Sequence, residues 1–166
     1  PLTAPLACPT SLLNGRVTAQ RRFATQDVTL AEVKAVAAAA DCTMNDIVLA
    51  ICSGAVRRFL RELGALPDDP LTAGLPVNVR LAGDESTGTG ISFICANLAT
   101  NVDDPRRRIE AIKASTARAK AHLHQLPDAA LTQYTIAFMA PYILQLLTGL
   151  GGHLRPPARG GPEVNH

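Results

Sequence analysis

Aromatic side chains are nearly missing from this sequence. They make up 4% of its 166 residues, and there is no tryptophan. A core of ordinary size must therefore be assembled from Ala, Leu, Ile and Val, which dominate the 47% of apolar residues. Charge is also thin, at 18% against about 25% in an ordinary soluble domain. The net charge of +2 excludes the strong basic field that nucleic-acid binding requires, so no nucleic-acid partner is expected. The four cysteines, Cys8, Cys42, Cys52 and Cys95, form no Cys-x-x-Cys. That spacing excludes a zinc ribbon or a redox motif and reads as reduced thiols of a cytoplasmic protein. No Ser/His/Asp or Cys/His arrangement stands out. Pro1 to Pro9 has neither a basic stretch nor a long apolar run, so it does not read as a secretory leader. It reads as an internal linker of a longer polypeptide.

What is present follows a helix-rich pattern. Pro1 to Leu13 reads as extended linker, and Asn14 with Gly15 as a turn. Arg16 to Val28, anchored by Val17, Phe23 and Val28, is expected to be a strand. Thr29 is placed to cap a helix from Leu30 to Ala40, and Thr43 a longer one to about Leu63, stopped by Gly64. Thr72 to Arg80 predicts a strand that Pro76 confines to an edge or a bulge. Ile91 to Thr100 predicts a second strand, apolar on both faces and so covered on both sides. Asp103 or Asp104 caps a basic helix that reaches Leu126, with Pro105 in its first turn. Pro127 and Asp128 open a last helical stretch, in which Pro141 is expected to introduce a kink. The sum is an α/β domain with few strands.

The polar candidates also have structural readings. Thr43 and Asp46 stand at the N-cap and third helical position, which suits a capping box and the helix dipole. Asn45 has no such need. His122 and His124 stand two residues apart on a helix, where side chains diverge, and no third ligand has zinc spacing; no metal is expected. His153 sits in a Gly-flanked loop. Gly88 to Gly90 is too short for a phosphate loop and precedes no helix. Arg106, Arg107 and Arg108 read either as a solvated face or as a contact for CoA or lipid phosphate. Ala130 to Gly152 carries no charge, yet Gln133, Gln145 and Pro141 make it a poor membrane span. It is expected to be a kinked, buried or interfacial helix.

Several stretches resemble the bacterial wax ester synthase/acyl-CoA:diacylglycerol acyltransferase family. "LNGRVTAQRRFA" (Leu13 to Ala24) is similar to its passage into the C-terminal half. "TMNDIVLAICSGAVRRFLRELGALPDDPL" (Thr43 to Leu71) is similar to its Asn-Asp helix and the acidic turn that follows. "PVNVR" (Pro76 to Arg80) is close to its Pro-Val-Ser-Val-Arg, and "GTGISFICANLATNVDDPRRRIEAI" (Gly88 to Ile112) follows its strand-then-helix pattern. The resemblance implies an incomplete C-terminal lobe of a chloramphenicol-acetyltransferase-like two-layer sandwich, a mixed sheet flanked by helices. Residues 1–15 would be an inter-lobe linker, 16–155 the lobe and 156–166 a flexible tail.

The activity so implied is transfer of a fatty acyl group from acyl-CoA, a co-substrate, to diacylglycerol or a long-chain alcohol, with no cofactor. The family's base is the second His of a His-His-x-x-x-Asp-Gly motif. Here the histidines are His122, His124, His153 and His166, none adjacent to another. The chain alone is therefore expected to be inactive, needing an N-terminal catalytic lobe in cis or in trans. Asn45, Asp46, Asn78 and Arg80 take supporting or substrate-facing roles, with Asp46 capping and Asn45 holding backbone or a substrate-facing loop. Contact with a membrane or lipid droplet, peripheral to the inner membrane face, is also expected. The alternative is a non-catalytic acyl- or membrane-binding module that pairs with a related acyltransferase.

Overall fold

The computed structural model describes residues 8–14, 19–78 and 91–148. A single 3₁₀ turn, Leu12–Asn14, precedes helix α1, Leu30–Ala39, and helix α2, Met44–Glu62. Strand β1, Thr72–Asn78, and strand β2, Ile91–Asn97, follow. Helices α3, Pro105–His124, and α4, Asp128–Thr148, complete the order. β1 and β2 pair antiparallel, in a register that sets Thr72 opposite Asn97 and Asn78 opposite Ile91. Among the described residues they form the whole sheet, so β1 has a free edge, where exposed Pro76 costs no ladder bond.

The helix boundaries follow local chemistry. Thr29 and Glu32 form a complete capping box at α1, and Thr43 and Asp46 form one at α2. Asp104, rather than Asp103, caps α3: its Oδ1 accepts from the Arg107 backbone N–H at 2.8 Å. α2 closes at Gly64, whose φ of +61° favours a residue without a Cβ. There the Ala65 N–H donates to the Leu60 carbonyl at 2.8 Å, satisfying a C-terminal orphan. α4 is one helix through position 141.

The expected strand from Arg16 to Val28 is not formed over its described part, residues 19–28, and residues 16–18 lie outside the described residues. Residues 19–29 are irregular and exposed, and Phe23 is 92% exposed. A strand is stable only when its backbone groups are paired, and no described strand lies beside this segment. β2 also ends at Asn97, short of Thr100. Ala99, at φ +48°, turns the chain out of the strand, and its N–H donates to the Asn97 Oδ1 at 2.7 Å.

The core lies where α2, α3 and the strands meet. Leu49, Leu60, Leu71, Leu98, Ala99 and Ile112 form its main cluster. Leu60 and Ile112 are fully buried, each such side chain contributing about 1.5–3 kcal/mol of transfer free energy. A second cluster joins Ile94 of β2 to Ala119 and Leu123 of α3. Phe93 stacks on Phe138 of α4, with ring centroids 6.0 Å apart. β2 thus packs against both α3 and α4, as its two apolar faces require.

Polar side chains fix the segment after β2. Ser53 donates to the Leu98 carbonyl at 2.5 Å, and the Leu71 N–H donates to the Thr100 hydroxyl at 2.9 Å. The Asn97 N–H donates to the Ser115 hydroxyl at 2.9 Å. The first two are buried, and a buried group costs about 1–3 kcal/mol if left unpaired.

Candidate functional site

The Asn-Asp pair sits where the α1–α2 turn meets α3. Asp46 is only 3% exposed. Its Oδ2 accepts from the Thr43 N–H at 3.0 Å and the Thr43 hydroxyl at 2.6 Å. Its Oδ1 accepts from the Thr116 hydroxyl on α3 at 2.7 Å. The Thr43 hydroxyl in turn accepts from the Asp46 N–H at 3.2 Å. The carboxylate therefore caps α2 and ties it to α3 at once.

Burial is the largest single influence on this carboxyl, and it pulls the pKa up. The two hydroxyls, the Thr43 N–H and the Lys120 charge together outweigh burial and take it below the usual carboxylate value. Asp46 is thus ionised at neutral pH, with both oxygens occupied by donors from the fold. That suits an anchor, and it leaves little capacity for a general base.

Asn45, one position earlier, is exposed and makes no side-chain hydrogen bond to a described residue. The cleft beside the pair, about 500 Å³, is lined in part by Cys42, Thr43, Asp46, Lys113, Thr116 and Lys120. Lys113 Nζ lies 3.0 Å from Asp41 Oδ2 at its mouth. The Cys42 thiol is pushed up, first by burial and then by the Asp46 charge, so it stays protonated at neutral pH and is no ready nucleophile. An apolar groove of about 250 Å³ opens between α1, α2 and the start of α3, lined by Val33, Val36, Ile47, Ala50, Ile51 and Ile109 among others.

The remaining sequence candidates do not gather at this cleft. Asn78 ends β1 on the exposed surface, and Arg80 lies outside the described residues, as do Gly88 to Gly90, His153 and His166. Arg106 and Arg107 are exposed, but Arg108 is buried and donates from Nη1 to the carbonyls of Val102, at 2.9 Å, and Asp103, at 3.3 Å. The expected three-arginine phosphate contact is thus divided. Consecutive helical residues point about 100° apart, so three in a row cannot share one face. His122 rests edge-on to Tyr134, with centroids 6.3 Å apart, while His124 is exposed.

Lys113, Thr116 and Lys120 were not singled out from the sequence. Their signal was present: they stand at i, i+3 and i+7 of α3, one helix face. Among the described residues no single helix is long and apolar enough to cross a membrane, although α1 and α2, bent by 100°, pass that test together by length and composition.

The chain has clear relatives. The family model described as the wax ester synthase/diacylglycerol acyltransferase catalytic domain matches residues 1–48, and that of the WS/DGAT C-terminal domain matches residues 87–156. Two Mycobacterium tuberculosis H37Rv proteins named as diacylglycerol O-acyltransferases are 46% and 42% identical to it. The alignments cover 156 and 158 residues, 94% of this chain in each case, and 31% and 35% of the relatives. A wax ester synthase/diacylglycerol acyltransferase from Marinobacter aquaeolei VT8 is similar in structure, with a TM-score of 0.73 and 33% identity over 88% of this chain and 32% of that one. The chain spans about a third of the length of the relatives it matches.

Proposed function

Because the chain belongs to the wax ester synthase/diacylglycerol acyltransferase family and has its chloramphenicol-acetyltransferase-like α/β fold, we propose that it is the C-terminal portion of a lipid O-acyltransferase. Its reaction moves a fatty acyl group from acyl-CoA to the hydroxyl of diacylglycerol or a long-chain alcohol. A base takes the hydroxyl proton, the oxygen attacks the thioester carbonyl, the C–S bond breaks and CoA leaves as the thiol. The base comes from a second lobe, in the same polypeptide or another, because no two histidines of this chain are adjacent. In this reading residues 1–15 link the lobes, 16–155 form the C-terminal lobe and 156–166 are its tail.

One observation carries the assignment of roles within the chain. The buried Asp46 is fully engaged by Thr43 and Thr116, whereas the neighbouring Asn45 amide points to the exposed side without a described partner. Asp46 is the positioning residue that holds α2 against α3. Asn45 presents its amide to the other lobe or to a substrate-facing loop. Asn78 and Arg80 take the supporting or substrate-facing roles that the family pattern assigns them, and the apolar groove between α1 and α2 suits an acyl chain.

The protein acts in the cytoplasm, peripheral to the inner membrane face or to a lipid droplet. Exposed Ile136, Ile143, Leu144 and Leu147 on α4 support this, since such a surface favours lipid or a protein partner over water. The test is incubation of the purified chain with palmitoyl-CoA and diacylglycerol, following free CoA. The chain alone should release no CoA above background. Turnover like that of an intact family member would overturn the division of labour.

A further inference from the structure

Gly54, Arg57, Arg58 and Arg61 recur at the spacing of one helix face on α2. With Asp103 and Arg108 they line a cleft of about 180 Å³ at the start of α3, away from Asn45 and Asp46. Four guanidinium groups meet one carboxylate there. Asp103 Oδ1 is shared between Arg57, at 2.8 Å, and Arg61, at 3.7 Å. Arg58 leans toward Glu62 at 2.8 Å on the exposed surface. Even with Glu62 counted, positive charge remains in excess.

The second observation is Arg108 itself. It is 8% exposed, and its Nε is buried without a hydrogen-bond partner among the described residues. Its Nη1 has only carbonyls, of Val102 and Asp103, and no carboxylate. Burying an uncompensated guanidinium is costly, and the fold gains no ion pair from it. The group lies against α2 at Gly54, where a Cβ would stand 3.5 Å from Arg108 Nη2, an ordinary van der Waals contact.

We propose that this cleft binds a phosphate-bearing anion, carried either by a free phosphoester or by an anionic lipid headgroup. Guanidinium forks match phosphate oxygens in charge and geometry. At a liquid share of about 30 Å³ per water, the cleft holds several water-sized groups, which suits a phosphate or pyrophosphate. The assignment is independent of the acyl-transfer reading, since it needs neither the second lobe nor turnover.

The test is titration of the purified chain with inorganic pyrophosphate by calorimetry, alongside sedimentation with phosphatidylglycerol vesicles. Arg58 and Arg61 are largely exposed, with side-chain exposures of 78% and 62%, so an R58Q/R61Q double variant should fold, as an unchanged urea midpoint would verify. Saturable one-to-one pyrophosphate binding, weakened at least tenfold in R58Q/R61Q and less than threefold in R106Q/R107Q, supports a free phosphoester. Vesicle binding lost in the same variant, without pyrophosphate binding, supports the lipid headgroup. Binding of neither probe, or binding that R106Q/R107Q removes and R58Q/R61Q does not, overturns the proposal.

Discussion

Replacing Asp46 by Ala removes half of a capping box and an inter-helix tie in one step. Thr43 remains as the N-cap, so losing the Asp46 half of the capping box and its first-turn charge costs about 0.3–1 kcal/mol by itself. The Thr116 bond to the carboxylate is charge-assisted and buried, and such bonds contribute about 1.5–3 kcal/mol. Two effects offset part of this. The buried charge is no longer desolvated, and the Thr116 hydroxyl can turn to the Lys113 carbonyl, 3.1 Å away. The expected loss is therefore about 2–3 kcal/mol, clearly more than the capping loss alone. Urea denaturation followed by far-UV circular dichroism measures it as a lower midpoint at unchanged slope.

The pH dependence gives a second check on the same residue. The folded carboxyl lies below its ordinary value, so its stabilisation is fully present above the unfolded pKa of about 3.9 and is lost as pH falls through the folded value. The stability difference between the parent and Asp46→Asn should shrink over that acidic window. A loss below about 0.5 kcal/mol for Asp46→Ala at neutral pH, the range of an ordinary surface change, would refute the anchoring role.

Asn45→Ala should leave the urea midpoint within about 0.5 kcal/mol of the parent, because the side chain is exposed, yet lower turnover once a second lobe is present; a larger stability loss than for Asp46→Ala would reverse the roles assigned to the pair. High-salt or alkaline washing should release the protein from membranes of expressing cells, since no single described helix is long and apolar enough to span; retention until detergent is added would show that α4 is inserted.

The helices were legible because their start signals are local. Thr29 with Glu32, Thr43 with Asp46, and Asp104 with Pro105 satisfy orphan backbone donors within one turn, so three or four residues carry the information. Residues 19–28, the described part of the strand expected from Arg16 to Val28, are irregular because strand propensity describes fit to a pleated surface, and no described neighbour offers one. At the Asn-Asp site the cap was readable, but the Thr116 tie was not, since it joins residues 70 positions apart. The arginine run divides for a different reason. Adjacency in sequence suggested one patch, whereas helical geometry sends Arg108 inward and leaves Arg106 and Arg107 outside. The charge that converges on a cleft joins Arg108 to Arg57, Arg58 and Arg61 of α2, whose three- and four-residue spacing could have shown it.

The most direct test of the account is complementation. The chain is mixed with a separately expressed N-terminal lobe of the same family that carries the His-His-x-x-x-Asp-Gly motif, and CoA release from palmitoyl-CoA is followed with diacylglycerol or hexadecanol as acceptor. The account predicts turnover in the mixture, none from either piece alone, and none when the second His of the motif is replaced by Ala. Turnover by this chain alone, or turnover in the mixture that survives loss of that His, would contradict it.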